Sequence, residues 1–222
     1  MAACIHCSTT SDLLTYDELG LCHHCSPDHA PIIAAAMQGI TDAAADRTKK
    51  RGASQRLEAL QESIAHCDAL LAYPRLQLNG INPQSLRGEL ETIRSEIVEQ
   101  AIRDQWFEAR ERAKDAGTYK RMFGSYAGAV KCLQDLMDYV DDASTLEKAV
   151  IVLRAERDAL VFETICRDAQ LAEQQGRKAA ARNLYIAAAF ELRQDGTPDG
   201  YQAEKLEYAE KQIERLGGRP KP

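Results

Sequence analysis

The chain has 222 residues, 45% apolar and 28% charged, with a formal net charge of −6. That is enough for one large or two small domains with a real core. No stretch reaches the roughly eighteen consecutive apolar residues of a membrane span, and seven cysteines, an odd number, argue against a secreted disulfide framework. "MAACIHCSTT" has neither a basic start nor an apolar run, so no secretory signal is expected and the expected location is cytoplasmic. Charge is uneven. Residues 1–46 contain no Lys or Arg but six acids (Asp12, Asp17, Glu18, Asp28, Asp42 and Asp46), and the remainder balances 28 bases with 28 acids.

In chain order, residues 1–30 come first as a small finger. Cys4 and Cys7 form one Cys-x-x-Cys pair, and Cys22 and Cys25 form another. A Cys-x-x-Cys turn aims two thiolates at one ion, and two such turns complete the tetrahedral shell that Zn²⁺ prefers. Cys4, Cys7, Cys22 and Cys25 are therefore the expected metal ligands. "LLTY", a turn at "DELG" and "LC" suit a short hairpin between the pairs. Four cysteines close the shell and leave no position for a reactive water, which disfavours a hydrolytic zinc. Paired thiols also exchange disulfides, so a zinc–thiol redox switch stays open as an alternative. His6, His23, His24 and His29 lie close by and are expected to be exposed or to hydrogen-bond around the ligands.

The segment resembles the zinc-ribbon and treble-clef fingers. It carries Ser8 and Ser26 where those families often place a glycine after the second cysteine of each pair. "SPDHAPIIAAAMQ" follows directly, with Asp28 as a helix cap and Pro31 in the first turn. A helix leaving the second knuckle suits the treble-clef arrangement. The finger lacks Lys and Arg, the residues that release counterions from phosphate. Nucleic-acid binding through it is not expected; docking on a protein or on its own helical body is.

Residues 31–82 read as a helical linker or hairpin. An alanine-rich helix covers 31–46. A second, 54–73, puts Leu57, Leu60, Ile64, Cys67, Leu70 and Leu71 on one stripe and stops at Pro74. Between them "RTKKRGASQR" carries Arg47, Lys49, Lys50, Arg51 and Arg56, the chain's candidate phosphate contacts and the basis for an alternative role as a nucleic-acid-associated regulator.

Residues 83–217 read as a helical-repeat domain, with 218–222 a disordered tail. "NGINP" marks a turn, with Asn82 as cap of a long helix running from Pro83 to Ala116. A second long helix starts at Ser144, with Glu147 in capping-box spacing, and ends by Gln175. "DLMDYVDD" before it reads as an acidic capping loop, not a cation site, because calcium-loop spacing and glycine are missing. A final helix is expected over about 198–216, stopped by Gly217-Gly218. "AKDAGTYKRMFGSYAGAVKCL", from Ala113, aligns with "AEQQGRKAAARNLYIAAAFEL", from Ala172, at an offset of 59 residues. Gly117 matches Gly176, Tyr126 matches Tyr185, Ala129 matches Ala188 and Leu133 matches Leu192. Each copy places a reversal glycine between two helices, then a tyrosine and small residues on one face.

Over about residues 100–195 these hairpins resemble the tetratricopeptide repeat, through Gly176, Ala181, Tyr185 and Ala188, and through Trp106, Gly117, Tyr119, Tyr126 and Ala129. Met122 and Lys178 depart from its pattern. The family repeats every 34 residues or so, so extra helix lies between these units. The fold class expected is all-α: a helical-repeat, tetratricopeptide-like or long-helix-bundle body behind a small zinc finger. The resemblance implies a concave partner face on the first helix of each hairpin, here Asp104, Phe107, Glu111 and Lys114, then Glu163, Cys166, Gln170 and Glu173. That set is acidic with apolar patches and suits a basic or amphipathic protein segment. Homo-oligomers stay open, since long helices leave faces to pair.

No phosphate-binding glycine loop and no nucleophile motif is present. The expected role is therefore a non-enzymatic protein–protein interaction adaptor or scaffold.

Overall fold

A computed structural model describes residues 3–11, 13–46, 52–76, 82–115, 119–194, 200 and 202–219. Among them run seven α-helices: α1 (Ser26–Asp46), α2 (Ala53–Leu71), α3 (Pro83–Lys114), α4 (Tyr119–Asp135), α5 (Ser144–Gln174), α6 (Lys178–Gln194) and α7 (Ala203–Arg215). The described residues contain no strand; Tyr16 and Cys22 form an isolated antiparallel bridge. The all-α expectation with a cysteine-bearing head therefore holds. No described helix is long and apolar enough to cross a membrane. The chain divides into two units, residues 1–100 and 101–222, with the division inside α3.

Helix limits follow local hydrogen bonding. Asn82 caps α3 as its sequence position implies, accepting the amides of Gln84 at 3.0 Å and Ser85 at 3.2 Å through Oδ1. α5 and α7 end in the same way. Gly176 and Gly217 take φ of +74° and +77°, a region that glycine enters without Cβ strain. Gly176 then donates to Glu173 and Arg177 to Ala172, while Gly217 donates to Glu214 and Gly218 to Ile213. These are paired Schellman closures of both helix ends.

Two sequence expectations need correction. Ser144 does not cap α5: it is the first helical residue, and its own amide donates to Asp142 Oδ1 at 2.9 Å. That bond holds the Asp142 carboxyl below its ordinary value, and Ala143 occupies the N-cap position with no side-chain cap bond. Asp28 does not begin α1 either. The helix starts at Ser26, and the Cys25 carbonyl accepts from the amides of Asp28 and His29. The knuckle itself nucleates the helix. The expected start of the last helix, residues 197 and 198, lies outside the described residues; α7 begins at Ala203.

In the first unit α1 packs on α2. Ile33, Ala36 and Ile40 are buried on α1, and Leu57, Leu60, Ile64, Cys67 and Leu70 on α2, the i, i+3/i+4 spacing of one helix face. Leu71, at the end of the expected stripe, is half-buried.

In the second unit α5 packs against both α4 and α6, and α6 against α7. Three of the pairs that align between the two hairpins are buried, Tyr126 with Tyr185, Ala129 with Ala188 and Leu133 with Leu192, while Gly176 is exposed and Gly117 lies outside the described residues. The core of the second hairpin gathers Phe162, Cys166 and Ala169 of α5, Tyr185, Ala188, Ala189 and Leu192 of α6, and Ala209 and Ile213 of α7.

Candidate metal centre and interaction face

The finger brings all four predicted cysteines together. The Sγ atoms of Cys4, Cys7, Cys22 and Cys25 lie within 4.8 Å of one another, and Cys7 and Cys22 sulfurs are 3.8 Å apart. A tetrahedron with metal–sulfur bonds of about 2.3 Å has edges of about 3.8 Å. All seven cysteines are free thiols. The donor set fits a tetrahedral thiolate metal centre.

Local folding builds this site. Ile5 donates to the Gly20 carbonyl and Asp17 to that of Leu21, which closes the hairpin between the pairs. Asp17 accepts from the amides of Leu19 and Leu21 at 3.0 and 2.9 Å and from the Ser26 hydroxyl at 2.6 Å. Its partial burial opposes ionisation, yet these donors outweigh it and lower its carboxyl. Ser8 sits at φ +59°. This explains the glycine common in similar fingers: the first knuckle needs a left-handed residue. Ser26 is already helical, so the second knuckle does not.

Electrostatics favour a cation here. Burial opposes ionisation of Cys4, but the amides of Cys22, Cys7 and His6 overcome it and lower its thiol to about 6. Cys7 is lowered through Thr9. Cys25 is pushed up to about 12 by burial and by the neighbouring sulfurs of Cys22, Cys7 and Cys4. Four thiolates this close repel one another, and a bound divalent ion removes the conflict.

The histidines do not join the thiols. His6 stacks on His29 with centroids 3.7 Å apart, and His29 Nδ1 lies 2.9 Å from the Tyr73 hydroxyl. His23 stacks on His24. Through His29 of α1 and Tyr73, just past the end of α2, the finger contacts its own helical hairpin. Sequence spacing had no means of pairing residues 44 positions apart.

The basic stretch is mostly beyond view: Arg47, Lys49, Lys50 and Arg51 lie outside the described residues, and Arg56 is exposed on α2. On α3, Asp104, Phe107, Glu111 and Lys114 are exposed; Phe107 is 67% exposed, and Lys114 pairs with Glu111 at 2.5 Å. On α5, Glu163 is exposed and Cys166 is buried. Gln170 donates to the Tyr208 hydroxyl at 3.3 Å, and Glu173 accepts from Arg215 at 2.5 Å. The final helix thus engages the α5 part of the expected partner face.

One residue that the sequence did not mark out organises the first hairpin. Glu156 of α5 accepts from Trp106 Nε1 at 2.8 Å and from Arg110 at 3.0 and 3.2 Å, and it lies 3.5 Å from the Tyr126 hydroxyl. Arg110 also stacks on the Trp106 ring at 4.4 Å. Burial, then the Glu156 charge, raise the Tyr126 phenol. Beside this carboxylate α3, α4 and α5 enclose a cleft of about 410 Å³, walled by Ala113, Met122, Ala159 and Leu160 and edged by Arg110, Lys114 and Glu156. Met122 stands where the second hairpin has the fully buried Ala181.

Comparison with protein-family models, with curated proteins and with solved structures gives no match for this chain, and no tetratricopeptide model matches the hairpins.

Proposed function

We propose that this protein is a non-catalytic protein–protein interaction adaptor of a reducing compartment, with a structural zinc finger at its head and a helical-repeat binding surface behind it. The observation that carries the interaction reading is the cleft among α3, α4 and α5, with apolar walls and Arg110, Lys114 and Glu156 among its lining side chains. Apolar clefts with a few fixed polar groups are where ligands and partner side chains seat. The acids of α3 and α5 make basic or amphipathic segments the complementary class. Zinc is the metal that four thiolates within 4.8 Å of one another suit best, and a shell closed by cysteine leaves it a structural role. The His6–His29–Tyr73 contacts support a finger that braces the helical hairpin rather than one that grips phosphate.

The test has two arms. Elemental analysis of the purified chain should give about one zinc per chain, and a chelator should release it with loss of order in the finger amides. A tagged chain should also retain a protein partner in near-equal amount from host lysate after nuclease treatment. Loss of that partner on nuclease would shift the reading to the nucleic-acid alternative and to Arg47, Lys49, Lys50, Arg51 and Arg56. A purified chain with steady turnover, abolished by one polar substitution, would end the adaptor reading.

A further inference from the structure

The two hairpins pack the same positions differently, and the difference leaves the cleft. At the offset of 59 residues, Arg110 and Met122 of the first copy stand where the second has Ala169 and Ala181, both fully buried. Small residues let the helices of the second copy close on one another, and longer side chains hold those of the first apart. The space between them is about 410 Å³, within the range of small-molecule sites, roughly 300–1,000 Å³. The cross-helix ion pair is inverted as well. Glu156 stands at the offset of Arg215 and Lys114 at that of Glu173, and Arg215 and Glu173 pair with one another in the second copy. In the first copy Lys114 does not complete the pair. Arg110, one turn earlier on α3, binds Glu156 through Nε and Nη2, while Lys114 bonds to Glu111 of its own helix. The lining therefore carries two cations against one carboxylate, and that carboxylate is already matched by Arg110. The charge left over is the Lys114 ammonium, 70% exposed. Its exposed pair with Glu111 is of a kind that contributes little, so the ammonium can turn to a ligand. Arg110 Nη1 takes no part in the bonds to Glu156 and carries two further donors.

We propose that this cleft binds a small amphipathic monocarboxylate as a free molecule. Its hydrocarbon part lies against Ala113, Met122, Ala159 and Leu160, and its carboxylate lies at Lys114 and Arg110. The pliable Met122 side chain adapts to the shape of the chain it meets. An acidic protein segment would carry its charges past Asp104, Glu111 and Glu163, which are exposed on the same two helices; a small acid with one carboxylate avoids that repulsion. The acid occupies the walls on which a partner side chain would seat, so the two compete. The proposal rests on the reading of this cleft as a binding site, yet it is tested on purified components. Its failure would leave partner capture at the cleft intact, and failure of partner capture would leave it standing.

The experiment titrates octanoate, 1-octanol and octylamine into the purified full chain and follows Trp106, the chain's single tryptophan, whose indole is bonded to Glu156. Octanoate should give a saturable fluorescence change at one molecule per chain, with 1-octanol about tenfold weaker and octylamine weaker still. Lys114→Glu, an exposed change that installs the residue found at the equivalent place in the second hairpin, should weaken octanoate about tenfold or more and leave 1-octanol within about threefold. Ala159→Phe, which fills the cleft, should abolish binding of both; if that variant fails to fold, the Lys114→Glu comparison decides alone. No saturable change within the solubility of the probes would overturn the proposal, as would equal affinity for octanoate and 1-octanol, or octanoate binding unchanged in Lys114→Glu. So would tighter binding of an acidic peptide of alternating leucine and glutamate, since the anion site would then belong to a protein segment.

Discussion

Replacing Ile213 by alanine tests whether α7 is held by its one large buried side chain. Ile213 is 2% exposed and packs into the core that holds Cys166. The change removes three carbons, about 2.4 kcal/mol at roughly 0.8 kcal/mol per buried group. The cavity left behind brings the cost to about 3 kcal/mol. If that cost falls on α7 docking alone, the open fraction rises about 100-fold, since 1.4 kcal/mol is roughly tenfold. Cys166 reports the opening. It is buried in the same core as Ile213, and burial, then Glu163, push its thiol up to about 11, so it reacts only when that core opens. Alkylation at pH 8, mapped by mass spectrometry, should accelerate about 100-fold at Cys166. Cys67, buried on α2 in the other unit, should not change. Leu171→Ala, at a position 47% exposed, should change the Cys166 rate less than threefold. A Cys166 rate within threefold of wild type in Ile213→Ala, or an equal rise at Cys67, would refute local docking of α7 through this residue.

Three further outcomes follow from the geometry. Ser8→Gly relieves a left-handed serine that costs roughly 1–2 kcal/mol, less about 0.5–1 kcal/mol of glycine entropy; chelator competition should show metal held two- to fivefold more tightly, and weaker binding would mean that the hydroxyl itself contributes. Glu173 is lowered by its hydrogen bond to Arg215, so its contribution is complete above the ordinary glutamate value of about 4.3 and is lost as pH falls through the lower folded value. The urea-midpoint gap between wild type and Glu173→Gln should therefore hold from pH 7 to about 5 and close below 4; a pH-independent gap would exclude the ion pair as its source. Gly39 packs where a Cβ would overlap the His66 ring, so Gly39→Ala should cost about 1–3 kcal/mol, and adding His66→Ala should recover most of it. Unchanged stability in Gly39→Ala would mean that His66 rotates aside at no cost.

Much of this protein is legible without coordinates because it is set by neighbours in the chain. The four thiols sit in two tight turns, so spacing alone identifies Cys4, Cys7, Cys22 and Cys25. Asn82, Gly176 and Gly217 mark helix ends because capping involves only a few adjacent amides and carbonyls. The aligned tyrosines and alanines are buried because helical period assigns them one face. Even here near-degenerate choices fail: Ser144 is a good cap by residue type, yet Ala143 takes that position and the Ser144 amide donates to Asp142.

What the chain order does not contain is which surfaces meet. Glu156 has no sequence mark, yet it collects Trp106 and Arg110 from 50 and 46 residues away. His29 reaches Tyr73 only because α1 folds back on α2. Above all, Gln170 and Glu173 have the same composition whether they face solvent, a partner or the chain's own last helix. A solvated helix face and a covered one share a periodicity, and only the long-range burial of Ile213 decides between them.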